Sequence, residues 1–171
     1  MNIRKIILFL AIIIIITGCN NKESDAIKFK KEYEKYNKSN IKLEIDEDNI
    51  IKYSKFDNIN KIIKEGTGVI FIGNPKDDLS RTSLKVLLNA ADSTDLQKIY
   101  YNSSLDNIKI EGIDNLQMPL VVNVLEGKIK SYHIGTINNS KKLSESDEME
   151  LYNIYTDGIH QVLGDTCDEE C

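Results

Sequence analysis

Thiols, paired carboxylates and imidazoles are the groups in this chain with chemistry to offer, and they are few. Three cysteines stand at positions 19, 167 and 171, and two histidines at 133 and 160. Cys167 and Cys171 end the sequence as Cys167-Asp168-Glu169-Glu170-Cys171. Such a pair can close a small structural disulfide, which is worth about 2 kcal/mol in the chain-entropy model. It can also exchange electrons as a dithiol, or give two thiolates to a metal. The acids at 165, 168, 169 and 170 weigh against the dithiol, because they raise a thiol's pKa. The spacing is not that of a common zinc site, and two soft ligands need help that only His133, His160 or carboxylates could supply. Asp77 and Asp78 form a second candidate. One of them can cap a helix, or the two together can hold a divalent cation with carbonyl help.

The first cysteine has a different setting. Arg4 and Lys5 precede an unbroken apolar run over residues 6–16, short for a membrane span and suited to a signal-peptide core. Ile16-Thr17-Gly18-Cys19 follows and resembles the lipobox of bacterial lipoproteins. The resemblance implies cleavage after Gly18, a lipid on Cys19, and a place on the outer face of the cytoplasmic membrane. A transmembrane anchor is the competing reading, disfavoured by the polar stretch that begins at Asn20. The chain carries a formal charge of −5, and losing Arg4 and Lys5 with residues 1–18 takes it to −7. That balance argues against nucleic acid as a partner and against an electrostatic membrane hold. We expect a signal peptide at 1–18, a lipidated tether at 19–25, one domain at 26–164 and an acidic tail at 165–171.

The elements follow from periodicity. Phe29, Tyr33 and Tyr36 are spaced as one helix face. Residues 41–45 alternate with period two and predict a strand, with a second short strand near residues 50–53. Asp57 is expected to cap a helix bearing Ile59, Ile62 and Ile63 and ending near Gly66. The apolar run Val69-Ile70-Phe71-Ile72 suits a strand covered on both faces. A helix follows over residues 80–92, then a strand over 98–102. Residues 120–125 and 128–134 read as a hairpin turning at Glu126-Gly127. A last helix starts with Ser144 and Asp147 in capping-box spacing. This order predicts an α/β sandwich with a mixed central sheet flanked by helices.

The chain has two prolines, Pro75 in Phe71-Ile72-Gly73-Asn74-Pro75 and Pro119 in Met118-Pro119. One ends the buried strand and leads into a helix; the other opens the hairpin. This pattern resembles the thioredoxin fold over residues 50–163, and looks closest to thioredoxin-like lipoproteins and bacteriocin-transport accessory proteins of Gram-positive bacteria. The resemblance implies a cis peptide at Pro119, facing the first site across a groove made by Pro75, Asp77, Asp78, Met118 and Pro119. It also puts Asp77 where the attacking cysteine belongs and Ser80 where the resolving one belongs. Asp77-Asp78-Leu79-Ser80 contains no sulfur, and exchange needs a thiolate.

The expected function is therefore a membrane-anchored extracytoplasmic binding or accessory module without the redox site, with a protein or peptide client and no cofactor. Two alternatives stay open: a thiol–disulfide oxidoreductase working through Cys167 and Cys171, and a metal-binding lipoprotein.

Overall fold

The computed structural model describes residues 23–37, 42–111, 113, 115–134, 137 and 142–164. Cys19, the signal and most of the tether, Cys167 and Cys171 lie outside the described residues. Helix α1 (Asp25–Glu34) is followed by β1 (Ile51–Tyr53), α2 (Phe56–Glu65), β2 (Gly68–Ile72) and α3 (Asp78–Ser93). Then come β3 (Ile99–Asn102), β4 (Leu120–Leu125), β5 (Lys128–Ile134) and α4 (Glu145–Leu163). The five strands form one mixed sheet in the order β1-β3-β2-β4-β5. β1, β3 and β2 are parallel; β4 runs against β2, and β5 against β4.

The central place of β2 explains its unbroken apolar sequence. Val69 and Phe71 face one core with Val121, Tyr101 and the inner faces of α1, α3 and α4. Ile70 and Ile72 face the other with Leu120, Val122, Val124 and Ile59 and Ile63 of α2. All four of these β2 residues are fully buried, as a strand covered on both sides requires. The hairpin turns at Glu126 and Gly127, both with positive φ (52° and 70°), the backbone of a tight two-residue turn. Ser144 and Asp147 form a reciprocal capping box at the start of α4. Those bonds hold the Asp147 carboxyl below its usual range.

Three expectations change. Residues 42–45 form no strand; the alternation survives only as burial of Leu43 and Ile45 and exposure of Lys42 and Glu44. Its pairing partner is a side chain. Asn37 donates from Nδ2 to the Leu43 carbonyl at 2.9 Å and accepts from the Leu43 amide at 3.0 Å, replacing a ladder rung. Asp57 does not cap α2. Lys55 occupies the cap without a side-chain bond, and Asp57 sits inside the first turn, where a carboxylate still suits the helix dipole. Tyr36 lies beyond the end of α1, in the turn that follows, while Phe29 and Tyr33 carry the buried face.

Candidate functional site

The two prolines are brought to one end of the sheet by strand register. Ile72, the last residue of β2, pairs with Leu120, the first of β4. Pro75 therefore follows β2, and Pro119 precedes β4, at the same edge of the fold. The Met118-Pro119 peptide is cis. Pro119 is buried, and half-buried Met118 packs on the core beneath α2. The backbone just before Leu120 lies beyond both ladders in which β4 takes part.

The loop between β2 and α3 is held from several directions. The Gly73 amide donates to the Asn102 carbonyl at 3.1 Å, and the Gly73 carbonyl accepts from the hydroxyls of Tyr33 (3.4 Å) and Tyr101 (3.3 Å). Burial pushes both phenols well above their ordinary pKa, so they stay neutral donors. Arg81 is fully buried and donates through Nη1 to the carbonyls of Tyr33 (2.7 Å) and Pro75 (3.3 Å), and through Nη2 to Asn37 Oδ1. One guanidinium thus ties the end of α1, the proline loop and, through Asn37, residue 43.

Asp77 is the N-cap of α3. Its Oδ2 accepts from the Ser80 amide at 2.8 Å, and its own amide donates to the Asn74 carbonyl at 3.0 Å. Ser80 has no exposed surface, and its Oγ accepts from the Asn74 amide at 3.1 Å. Asp78 is exposed in the first turn, its carbonyl accepting from Thr82 Oγ1 at 3.0 Å. The carboxylate at 77 and the hydroxyl at 80 are therefore committed to loop and helix structure. No set of three or more His, Cys, Asp or Glu side chains arranged for a metal occurs among the described residues. The cation alternative for Asp77 and Asp78 gains no further ligand there.

His133 and His160 are separate features. His160 is half-buried in the last turn of α4. His133 on β5 sets its ring edge-on to Tyr155, 6.0 Å between centroids, and Tyr155 shares a 2.5 Å hydrogen bond with Ser83 of α3. Burial lowers the His133 pKa, with Glu150 opposing it weakly. An imidazole with a depressed folded pKa binds fewer protons than the unfolded chain, so stability is complete above about pH 6.5 and falls as pH drops through the folded value. Melting temperatures across pH 7.5 to 5 should decline more in the wild type than in His133→Gln. Parallel curves would assign the acid sensitivity elsewhere.

Sequence reasoning overlooked Tyr33, Tyr101, Asn37 and Arg81 as the groups that hold the loop. A signal for Arg81 was present: it stands at i of an i, i+3, i+7 stripe that Leu84 and Leu88 continue as apolar. A comparison with protein-family models and with curated proteins found no match to this chain.

Proposed function

We propose that this protein is a thioredoxin-like lipoprotein without the family's dithiol, serving as an accessory module that holds an extended segment of a client protein. The strand order β1-β3-β2-β4-β5, the helix entered from β2 through Pro75, and the cis peptide before β4 support the fold reading. The lipid anchor rests on Ile16-Thr17-Gly18-Cys19. The observation that carries the functional reading is the use made of positions 77 and 80. Asp77 caps α3 and Ser80 is buried on the Asn74 amide, so both serve the loop, and neither carries the sulfur that exchange needs. What remains is a braced loop beside backbone that precedes Leu120 and lies outside the ladders, a surface on which an extended peptide can pair.

The test is insulin reduction by the chain from residue 20 onward, with Cys167 and Cys171 intact. Turbidity should rise no faster than in the dithiol-only control. Robust activity that disappears in Cys167→Ser would replace this reading with the oxidoreductase alternative.

A further inference from the structure

Glu44, Asp46, Asp92 and Asp95 stand around one cavity of about 430 Å³. It opens where β1 and β3 start, between the segment that leads into β1 and the end of α3. Its size is within the range of small-molecule sites, roughly 300–1,000 Å³. Ile45, Ala91 and Leu96, all buried, form an apolar wall with half-buried Ile50 and Leu88.

Both sides of the cavity are fixed by hydrogen bonds. On one, Asn49 donates through Nδ2 to the carbonyls of Asp46 (2.7 Å) and Ala26 (3.1 Å), and accepts at Oδ1 from the Ile51 amide. On the other, the chain folds back after α3. There the Leu96 amide donates to the Ala91 carbonyl at 3.0 Å, and Thr94 Oγ1 donates to the Ala90 carbonyl at 2.8 Å. The Ile99 amide joins the two sides by donating to the Ile50 carbonyl at 3.0 Å. A ligand therefore meets walls that are already ordered, which lowers the cost of binding.

The charge of the cavity is one-sided. No Lys, Arg or His lines it among the described residues. The carboxylates of Asp46, Asp92 and Asp95 take part in no hydrogen bond or ion pair among those residues, and Glu44 meets Lys42 in an exposed pair. Lys98, beside the lining in sequence, turns to the α2 side of the sheet, over the ring of Tyr100. Carboxylates around an apolar wall focus a negative potential into the concavity. They do not converge on a point, since no three are placed to hold one metal ion. The positive charge that suits them is spread along a molecule.

We propose that this cavity binds a linear aliphatic polyamine. Its ammonium groups lie against the carboxylates, and its methylene chain lies on Ile45, Ile50 and Leu96. A single Lys or Arg side chain from another protein would bring one charge and leave most of the rim unpaired. The proposal is independent of the lipoprotein and thioredoxin-like readings, because it uses neither the signal segment nor the proline loop.

Calorimetric titration of spermidine into the full chain in neutral detergent tests this. Binding should be saturable and one-to-one, and should weaken as salt rises to about 0.15 M. Hexaamminecobalt(III) carries the same threefold charge without a methylene chain, and should bind about tenfold more weakly, the worth of burying two methylenes or so. The pair Asp92→Asn and Asp95→Asn should weaken spermidine about tenfold; asparagine accepts the positive φ of position 95 (54°). The pair Asp57→Asn and Glu65→Gln on α2 removes equal charge from the other face and should change little. Asn89→Lys, at an exposed lining position of α3, puts a cation in the cavity and should abolish binding with every carboxylate kept. Circular dichroism confirms that each variant is folded. The proposal is overturned by any of four results: no saturable heat, equal affinity for the two cations, equal loss from the two acid pairs, or unchanged binding in Asn89→Lys.

Discussion

Arg81→Met should lower the unfolding free energy by about 3 kcal/mol, enough to shift the melting temperature of a domain this size by about 10 °C. Two effects oppose each other. Burial depresses the Arg81 pKa, a sign that holding the charge inside is costly, and methionine would remove that cost. The substitution would also take a charged donor from three acceptors: the carbonyls of Tyr33 and Pro75 and the Oδ1 of Asn37. A hydrogen bond to a charged donor is worth about 1.5–3 kcal/mol, so the loss of three exceeds the relief. Asn37 Oδ1 still accepts from the Leu43 amide, and the Tyr33 carbonyl from the Tyr36 amide at 3.1 Å, which makes the Pro75 carbonyl the most affected of the three. Arg81→Lys should recover part of the loss, since an ammonium keeps the charge but not the fork. Urea unfolding reads the effect directly, and an unchanged midpoint for Arg81→Met would remove the guanidinium from any bracing role. Hydrogen exchange gives a local check, because the Asp77 amide should lose protection first as the proline loop loosens.

The expected dependence on Arg81 shows where reading the chain fell short. Continuous apolar character made β2 legible because a strand covered on both faces leaves no other composition available. The hairpin and the α4 capping box were legible for an equally local reason, since turn and cap chemistry involve residues within three positions of each other. Residues 41–45 misled because alternation records which side chains are buried, not what the backbone pairs with; here Asn37 took the place of a strand. The connection between β3 and β4 looked merely polar, yet Ile108 and Ile110 complete the core under α2. Two isoleucines among Asp, Asn, Lys and Glu show no sustained period. The convergence of Tyr33, Tyr101, Arg81 and Gly73 draws on four separate segments, and no local pattern encodes it. Pro75, Asp77 and Ser80 are close in sequence, so the cap and the bond to the Asn74 amide that they take part in are local too.

On the proposed thioredoxin-like reading, placing cysteines at positions 77 and 80 should create redox activity at the start of α3. In a chain with Cys167→Ser and Cys171→Ser, the pair Asp77→Cys and Ser80→Cys stands at the N-cap and third residue of α3. Positions three apart at a helix start bring their Cβ atoms to about 5–6 Å, close enough that a small adjustment reaches disulfide geometry. Exposure is already graded as exchange requires, with position 77 open to an incoming disulfide and position 80 fully buried. The amide of residue 80, which now donates to Asp77 Oδ2 at 2.8 Å, is placed to donate to a thiolate at 77, and the helix N-terminus favours that anion. Asp78 acts in the opposite direction, since a neighbouring carboxylate disfavours the thiolate and so favours the oxidised pair. The potential should accordingly fall toward the reducing end of the range for such motifs, near about −270 mV. The substitutions cost about 1 kcal/mol through the weakened cap. Insulin reduction should then rise clearly above the background of the parent chain, and free thiols should vanish on mild oxidation. If the variant folds but its two thiols stay reduced under conditions that oxidise ordinary Cys-x-x-Cys pairs, the local geometry is not that of an emptied dithiol site. The thioredoxin-like reading would then lose its main support.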